Sequence, residues 1–288
     1  MTTYGVDVPA FNNSRNFYAN FVNAAQEAGF TNLWVGDHLL WHCPRFESFT
    51  LLGMLSGLTS LTLGTGIALA PLRPPWWLAK SAATLNEIAE GGFVLGLGAG
   101  GEYAREFDVV GMDVADRGAA LDAAILYCRQ AWSGALGADF SPRPVTEIPI
   151  WLGGRTNVAL RRVARSADGW LGIFLTPRKF GAARDYLMAE CRSLGRADLP
   201  ASLAVWACVD TDGDEARRAA LDAISTEYGM PGAAFTRYVI AGTPDEVATT
   251  LRSYSEAGAA HISIHIAHPD HLTQIGVWAS DVFPRLAP

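Results

Sequence analysis

The sequence predicts an α/β fold, a closed barrel of eight parallel strands with intervening helices, and three observations carry that prediction. Eight short apolar segments alternate along the chain with amphipathic stretches of helical period. The apolar segments are close to continuously hydrophobic, as strands covered on both faces are. The chain has 288 residues, above the usual domain size of roughly 100–200 residues, but closed β/α barrels of about 250 residues or more fold as one unit. One domain spanning 1–288 is therefore expected, with an open doubly wound sheet as the rival arrangement.

Taken in order, Tyr4–Val8 is the first expected strand. Phe17–Ala28 follows as a helix, with Phe17, Phe21, Ala24, Ala25 and Ala28 on one face and Gly29 as its stop. Strands are expected at Asn32–Gly36, Leu61–Ala70 and Phe93–Gly98, with a helix at Trp77–Ile88 that ends before Gly91-Gly92. A long helix at Asp116–Ala131 leads into Gly134–Glu147, a Pro- and Gly-rich surface loop. The second half repeats the alternation. Strands at Ile148–Leu152, Gly169–Phe174, Ser202–Val209 and His261–Ile266 are separated by helices at Asn157–Arg165, Lys179–Leu194, Asp214–Tyr228 and Asp245–Ala257.

Composition narrows the function. Half the residues are apolar, 18% are charged and the formal net charge is -7. That excludes disorder and argues against a general nucleic-acid binder. No apolar run is long enough to span a bilayer, and the N-terminus carries no secretory pattern. The four cysteines are far apart, so a cytoplasmic protein without a metal cage or disulfide framework is expected. Only two of the 22 basic residues are Lys, and residues 151–199 hold nine basic side chains against four acidic ones. Such a stretch is either a set of solvated helix faces or a local field for an anionic ligand.

Barrel active sites lie at the C-terminal ends of the strands, and four constellations fall there. Asp37-His38, followed by Trp41 and His42, offers an imidazole suited to proton transfer near neutral pH, with flat surfaces beside it; the same dipeptide also serves as a plain helix cap. Gly96-Leu97-Gly98-Ala99-Gly100-Gly101-Glu102 requires a close backbone approach to a ligand or a neighbouring strand. It lacks the spacing and the position of a dinucleotide fingerprint. Gly153-Gly154-Arg155-Thr156-Asn157 is either an anion cradle of backbone N–H groups or an ordinary helix cap. The run from His261 to His271 contains four histidines but no zinc spacing, so no metal site is assigned. Strand alternation places His261, Ser263 and His265 on one face, with His265 at the mouth.

These residues, in this order, resemble the luciferase-like monooxygenase superfamily, including its branch dependent on coenzyme F420, an anionic 5-deazaflavin. The resemblance runs from Tyr4 to Ala267. Its parts are Ala24–Phe30 with Leu33–His38, Leu63-Gly64-Thr65-Gly66, Ala82–Leu85 before Gly91–Gly100, Glu106-Phe107 ahead of Gly111 and Arg117-Gly118, Ile148–Gly154, Ala167–Trp170 and Gly242–Val247.

The resemblance implies a luciferase-like (β/α)8 TIM barrel with a flavin or deazaflavin at its mouth. Asp37 and His38 would lie beside the ring, and a bulge with a non-proline cis peptide at Gly66–Ile67, next to Ala68, would lie behind it. Gly98 and Gly100 would border the ring, while Gly153, Gly154, Arg155 and Thr156 would take the phosphate. Asp-His in place of the Glu-His of many FMN members points to F420, with FMN as the alternative. Three departures from the sugar-phosphate dehydrogenases of that branch argue against a sugar phosphate: His42 where they carry Trp, Gly101 before Glu102, and few lysines.

The implied activity is hydride transfer between deazaflavin C5 and a small organic substrate, by C=C or C=N reduction or alcohol oxidation. His38 would move the proton, oriented by Asp37, with Glu102 as a second acid. Trp41, His42, Trp76, Trp77 and His265 would wall the substrate pocket. The alternatives are an FMN-dependent two-component monooxygenase and a non-catalytic flavin-binding barrel. A homodimer is expected, and a flavin or F420 reductase in the same pathway.

Overall fold

The computed structural model describes residues 1–11, 13–137 and 139–287. Its strands are β1 (Thr3–Asp7), β2 (Asn32–Val35), β3 (Thr62–Thr65), β4 (Ala68–Leu69), β5 (Phe93–Gly98), β6 (Ile150–Gly153), β7 (Gly169–Ile173), β8 (Ala201–Val209), β9 (Val239–Gly242) and β10 (His261–Ile266). The helices are α1 (Arg15–Ala28), α2 (Ser48–Leu55), α3 (Pro75–Ile88), α4 (Arg105–Val110), α5 (Arg117–Ser133), α6 (Asn157–Ser166), α7 (Pro177–Ser193), α8 (Gly213–Tyr228), α9 (Pro244–Glu256), α10 (His271–Val277) and α11 (Phe283–Leu286).

All strand pairings are parallel, and β10 pairs with both β1 and β8. The sheet therefore closes on itself, which excludes the open doubly wound alternative. Eight strands make the barrel: β1, β2, β3, β5, β6, β7, β8 and β10. Each overlaps one of the eight segments expected from sequence.

Several elements were not anticipated, among them the short helices α4, α10 and α11. The segment expected as one strand, Leu61–Ala70, is broken. Leu63 and Gly64 pair with Phe93 and Val94, whereas Ala68 and Leu69 pair with Leu97 and Gly98. One extra residue is thus accommodated between β3 and β4, as in a bulge, and the Gly66–Ile67 peptide there is cis. The short helix α2 interrupts what reads as loop. Finally, β9 is a ninth pairing partner. β8 is nine residues long; Ala201–Ala204 pair with β7, and Trp206–Val209 pair with β9. Periodicity alone could not register a four-residue strand such as β9. Of the Gly134–Glu147 loop, all but Ala138 is described, and the described part is neither helix nor strand.

Local chemistry sets the helix ends. Ser14 caps α1 by accepting the Phe17 N–H, and Gly29 ends it in the left-handed region with φ 90°. α9 opens with a reciprocal capping box between Thr243 and Glu246.

Two apolar layers result from strand alternation. Outward residues such as Leu33, Val35, Leu95, Ile150, Leu203 and Ile262 pack beneath the helices. Inside the barrel lie Trp34, Val94 and Leu171, with Ile67 and Trp151 against them. The indoles need room, and inward glycines give it: a Cβ on Gly64 would fall 2.5 Å from the Trp34 ring, and one on Gly169 would fall 2.5 Å from Trp151 Nε1. His261 completes this plug, accepting from Trp34 Nε1 at 2.9 Å. No helix among the described residues is long and apolar enough to cross a membrane.

Candidate functional site

The C-terminal ends of the strands open into two adjoining cavities. The smaller, about 280 Å³, is bordered by the turns after β2, β5 and β6 and floored by the bulge at Ile67. Gly98 and Gly153 face this side chain. A Cβ on Gly98 would come within 2.1 Å of Ile67 Cδ1, and one on Gly153 within 2.5 Å. The close approach read from these glycines is thus to Ile67, whose side chain they allow to lie flat beneath the cavity.

His38 lies on one side of this space. Its Nδ1 is 3.2 Å from Glu106 Oε2 and 3.3 Å from Oε1. Glu106 Oε1 also accepts the Leu39 N–H at 2.7 Å and the Leu40 N–H at 3.1 Å. A carboxylate can only accept, so Nδ1 is the donating nitrogen, and in the neutral ring the lone pair lies on Nε2. The Trp41 ring stacks on the imidazole, with centroids 3.7 Å apart at 18°, so the ring is fixed in position as well as in tautomer.

Asp37 does not orient His38, contrary to expectation. It is 5% exposed and turns away from the imidazole. Its Oδ1 accepts from Ser48 Oγ at 2.9 Å and from Arg73 at 2.5 Å, while its Oδ2 accepts the Leu69 N–H at 3.0 Å. A buried carboxylate needs such partners, and these draw it down to the bulge strand. It still borders the cavity, where its role is to tie β2 to β4.

The other expected residues divide. Gly66, Ile67, Gly98, Gly100, Gly153, Gly154, Arg155, Glu102 and His265 border the smaller cavity. Ala68 is fully buried, and Thr156 spends its hydroxyl as the α6 cap, accepting the Ala159 N–H at 3.2 Å. Neither borders the cavity. Trp41 and His42 also stand back from both cavities; Trp41 supports His38, and His42 packs against Tyr103. Trp76 and Trp77 are 55% and 62% exposed on the first turn of α3. The buried side of that helix is built from Leu78, Ala79, Ala82, Ala83 and Leu85, and neither indole borders the two cavities; Trp77 lines a separate hollow with Phe49 and Arg73. Of the four histidines of the last strand and its loop, His265, His268 and His271 border the larger cavity, but no group of three or more side chains that could hold a metal is found among the described residues.

Sequence reasoning missed several residues that the fold brings to the mouth. Glu106 is fully buried, and the sequence offered it only as part of the Glu106-Phe107 pair of the family pattern. Arg45 lies between the cavities and pairs with Glu227 at the end of α8. Tyr228 packs edge-on against Trp41, Phe174 and Trp206, and burial pushes its hydroxyl pKa up. Across the mouth, Trp206 stacks on His265 with centroids 4.9 Å apart at 13°. His265 Nε2 is 3.3 Å from Asp7 Oδ2. Burial raises the Asp7 pKa well above its usual value against the pull of Arg45, and burial with Arg45 lowers that of His265 to about 3. Burial thus disfavours charge on both members of the pair.

A family model for luciferase-like monooxygenases matches residues 4–261. The chain belongs to the luciferase-like monooxygenase family. Among its relatives within and near that family, an F420-dependent glucose-6-phosphate dehydrogenase from Nakamurella multipartita is 26% identical over 93% of this chain and 91% of its own. A 5,10-methylenetetrahydromethanopterin reductase from Methanolobus tindarius is also 26% identical, over 91% of this chain and 79% of its own. Among solved structures, an F420-dependent secondary alcohol dehydrogenase in complex with an F420-acetone adduct superposes with a TM-score of 0.85 at 18% identity, covering 100% of this chain and 99% of the other. That likeness shows that this luciferase-like chain shares the barrel fold.

Proposed function

We propose that the chain is an F420-dependent oxidoreductase that exchanges a hydride with a small organic substrate. The observation that carries this reading is the held imidazole of His38, one nitrogen fixed by Glu106 and the other free, beside a flat cavity floored by Ile67. The full-length similarity to an F420-dependent dehydrogenase supports the choice of deazaflavin over FMN.

The residues present fit that group. Ile67, with Gly98 and Gly153 beneath it, forms a flat bed for a fused ring. Gly153, Gly154 and Arg155 lead into the N-terminus of α6, where free N–H groups and the helix dipole favour a phosphate. When bound, the deazaflavin supplies hydride exchange at its C5 and does not need oxygen. The chain supplies binding, orientation and proton traffic. His38 gives or takes the proton through Nε2, Glu106 keeps its tautomer, and Trp41 holds its plane. Glu102, exposed on the rim of the same cavity, is the second acid of the proposal. A homodimer and a separate reductase belong to the same proposal, and light scattering tests the first of these.

Titration of the purified chain with F420 and with FMN, each followed by its own fluorescence, tests the reading. Tight binding of F420 and weak binding of FMN is the expected result. Preference for FMN would overturn it in favour of a two-component monooxygenase. Binding of either without turnover of any hydride donor or acceptor would point to a carrier barrel.

A further inference from the structure

The larger cavity at the mouth measures about 600 Å³ and lies between the ends of β1 and β10 and a solvent-accessible side of α8. It adjoins the cavity described above and shares Arg45, Trp206 and His265 with it. Its volume falls within the range of small-molecule sites, about 300–1,000 Å³.

Its charges are already spent. Arg45 pairs with Glu227, and Arg218 pairs with Glu215 and Asp222. Of the lining polar atoms that lack a hydrogen-bond partner, Arg45 Nε and Trp206 Nε1 among them, two lie side by side at the inner end. Asp7 Oδ2 and His265 Nε2 are buried, and although 3.3 Å apart they lack hydrogen-bond geometry toward each other or toward any other group. Buried polar groups of this kind call for a partner. Val8, Phe11, Trp206 and Ile266 supply apolar wall around them. An ionic ligand would find no free counter-charge here and would lose its hydration. A neutral oxygen would find a polar partner in the Asp7 carboxyl, whose burial favours the protonated, donor form, and a second polar contact in the imidazole.

We propose that this cavity holds the substrate, and that the substrate is an uncharged organic molecule presenting a carbonyl or hydroxyl oxygen to Asp7 and His265. The reaction at the oxygen-bearing carbon rests on the oxidoreductase reading; the binding rests on the cavity alone. The placement puts the oxygen beside Trp206 and His265, the residues that also border the cofactor cavity.

Calorimetric titration of the full chain, with and without F420, tests this with four probes: 1-tetralone, 1-tetralol, the oxygen-free 1,2-dihydronaphthalene and the anion glucose 6-phosphate. The tetralone and the tetralol are expected to bind at least tenfold more tightly than the hydrocarbon, and the sugar phosphate to bind more weakly than either. Asp7→Leu is expected to erase the preference for oxygen, whereas Asp7→Asn, which retains a donor, is expected to keep it within about threefold. Equal binding of ketone and hydrocarbon to the native chain overturns the proposal, as does tighter binding of glucose 6-phosphate or an unaltered preference in a folded Asp7→Leu. The native comparison needs no variant to fold. Failure to bind F420 together with a retained ketone preference would defeat the cofactor reading and leave this one standing.

Discussion

Glu106 reaches from α4 to the ring of His38, placing Oε2 3.2 Å from Nδ1, and the same carboxylate gathers the backbone N–H groups of Leu39 and Leu40. One buried acid thus fixes both the loop after β2 and the imidazole that the loop carries. His38→Asn is expected to lower kcat by about 10²–10⁴-fold, the usual worth of a positioned general acid or base. Glu106→Gln, whose amide can present a donor to Nδ1 and reverse the tautomer, is expected to lower it by about tenfold or more. F420 affinity should stay within about threefold in both. A loss of cofactor binding that parallels the loss of rate would refute the assignment.

Asp37 carries a structural load that its neighbour does not. Asp37→Ala would strand the Arg73 guanidinium, 23% exposed, and leave the buried Ser48 hydroxyl and Leu69 N–H without their acceptor. A loss of about 3 kcal/mol is expected, as for other broken buried pairs. Urea unfolding would measure it; a loss below about 1 kcal/mol would show that Arg73 and Glu47, 3.0 Å apart, suffice without it.

The flat bed can be tested by steric exchange. Gly153→Ala places a methyl against Ile67 Cδ1 and is expected to destabilise by about 1–3 kcal/mol, while weakening F420 binding. Ile67→Val removes that terminal methyl, so the double variant should recover most of both losses. Additive losses in the double variant would mean that Gly153 is needed for another reason.

His261 makes stability depend on pH. Burial lowers its pKa to about 4. Below about 6.5 the unfolded chain takes up a proton that the folded ring refuses, so this contribution to stability is complete above pH 6.5 and is lost as pH falls toward 4. The full loss amounts to about 3 kcal/mol. Between pH 7.5 and 5 the native chain should lose about 2 kcal/mol more than His261→Gln. Parallel curves for the two would show that the Trp34–His261 bond does not exclude the proton.

The fold was legible because barrel strands are apolar on both faces and alternate with amphipathic helices, a pattern that survives in one dimension. Gly29 and Gly258 marked helix ends correctly, since only the left-handed turn there demands them. The site was legible in part. Asp37 and His38 are adjacent in sequence, but the strand end sends their side chains opposite ways, one to Arg73 and one to Glu106. Sequence proximity could not show this, because the deciding partners lie 36 and 68 residues away. Trp76 and Trp77 read as pocket walls because aromatics near a strand end usually are, yet the helix phase set by Leu78, Ala79 and Ala82 turns them outward. The expectation of strand alternation from His261 to His265 held, since a strand leaves no other choice of face.

The long strand β8 changes partner midway, from β7 at its lower end to β9 above. Closure of the barrel depends only on the lower contacts and on β10. The stretch from 210 to 238, which contains α8 and hence one wall of the larger cavity, is therefore an annex to a ring that is already complete. A change in that annex leaves the ring closed but reaches the imidazole at the mouth, because Tyr228 packs on Trp41, which holds the His38 ring, and Glu227 holds Arg45.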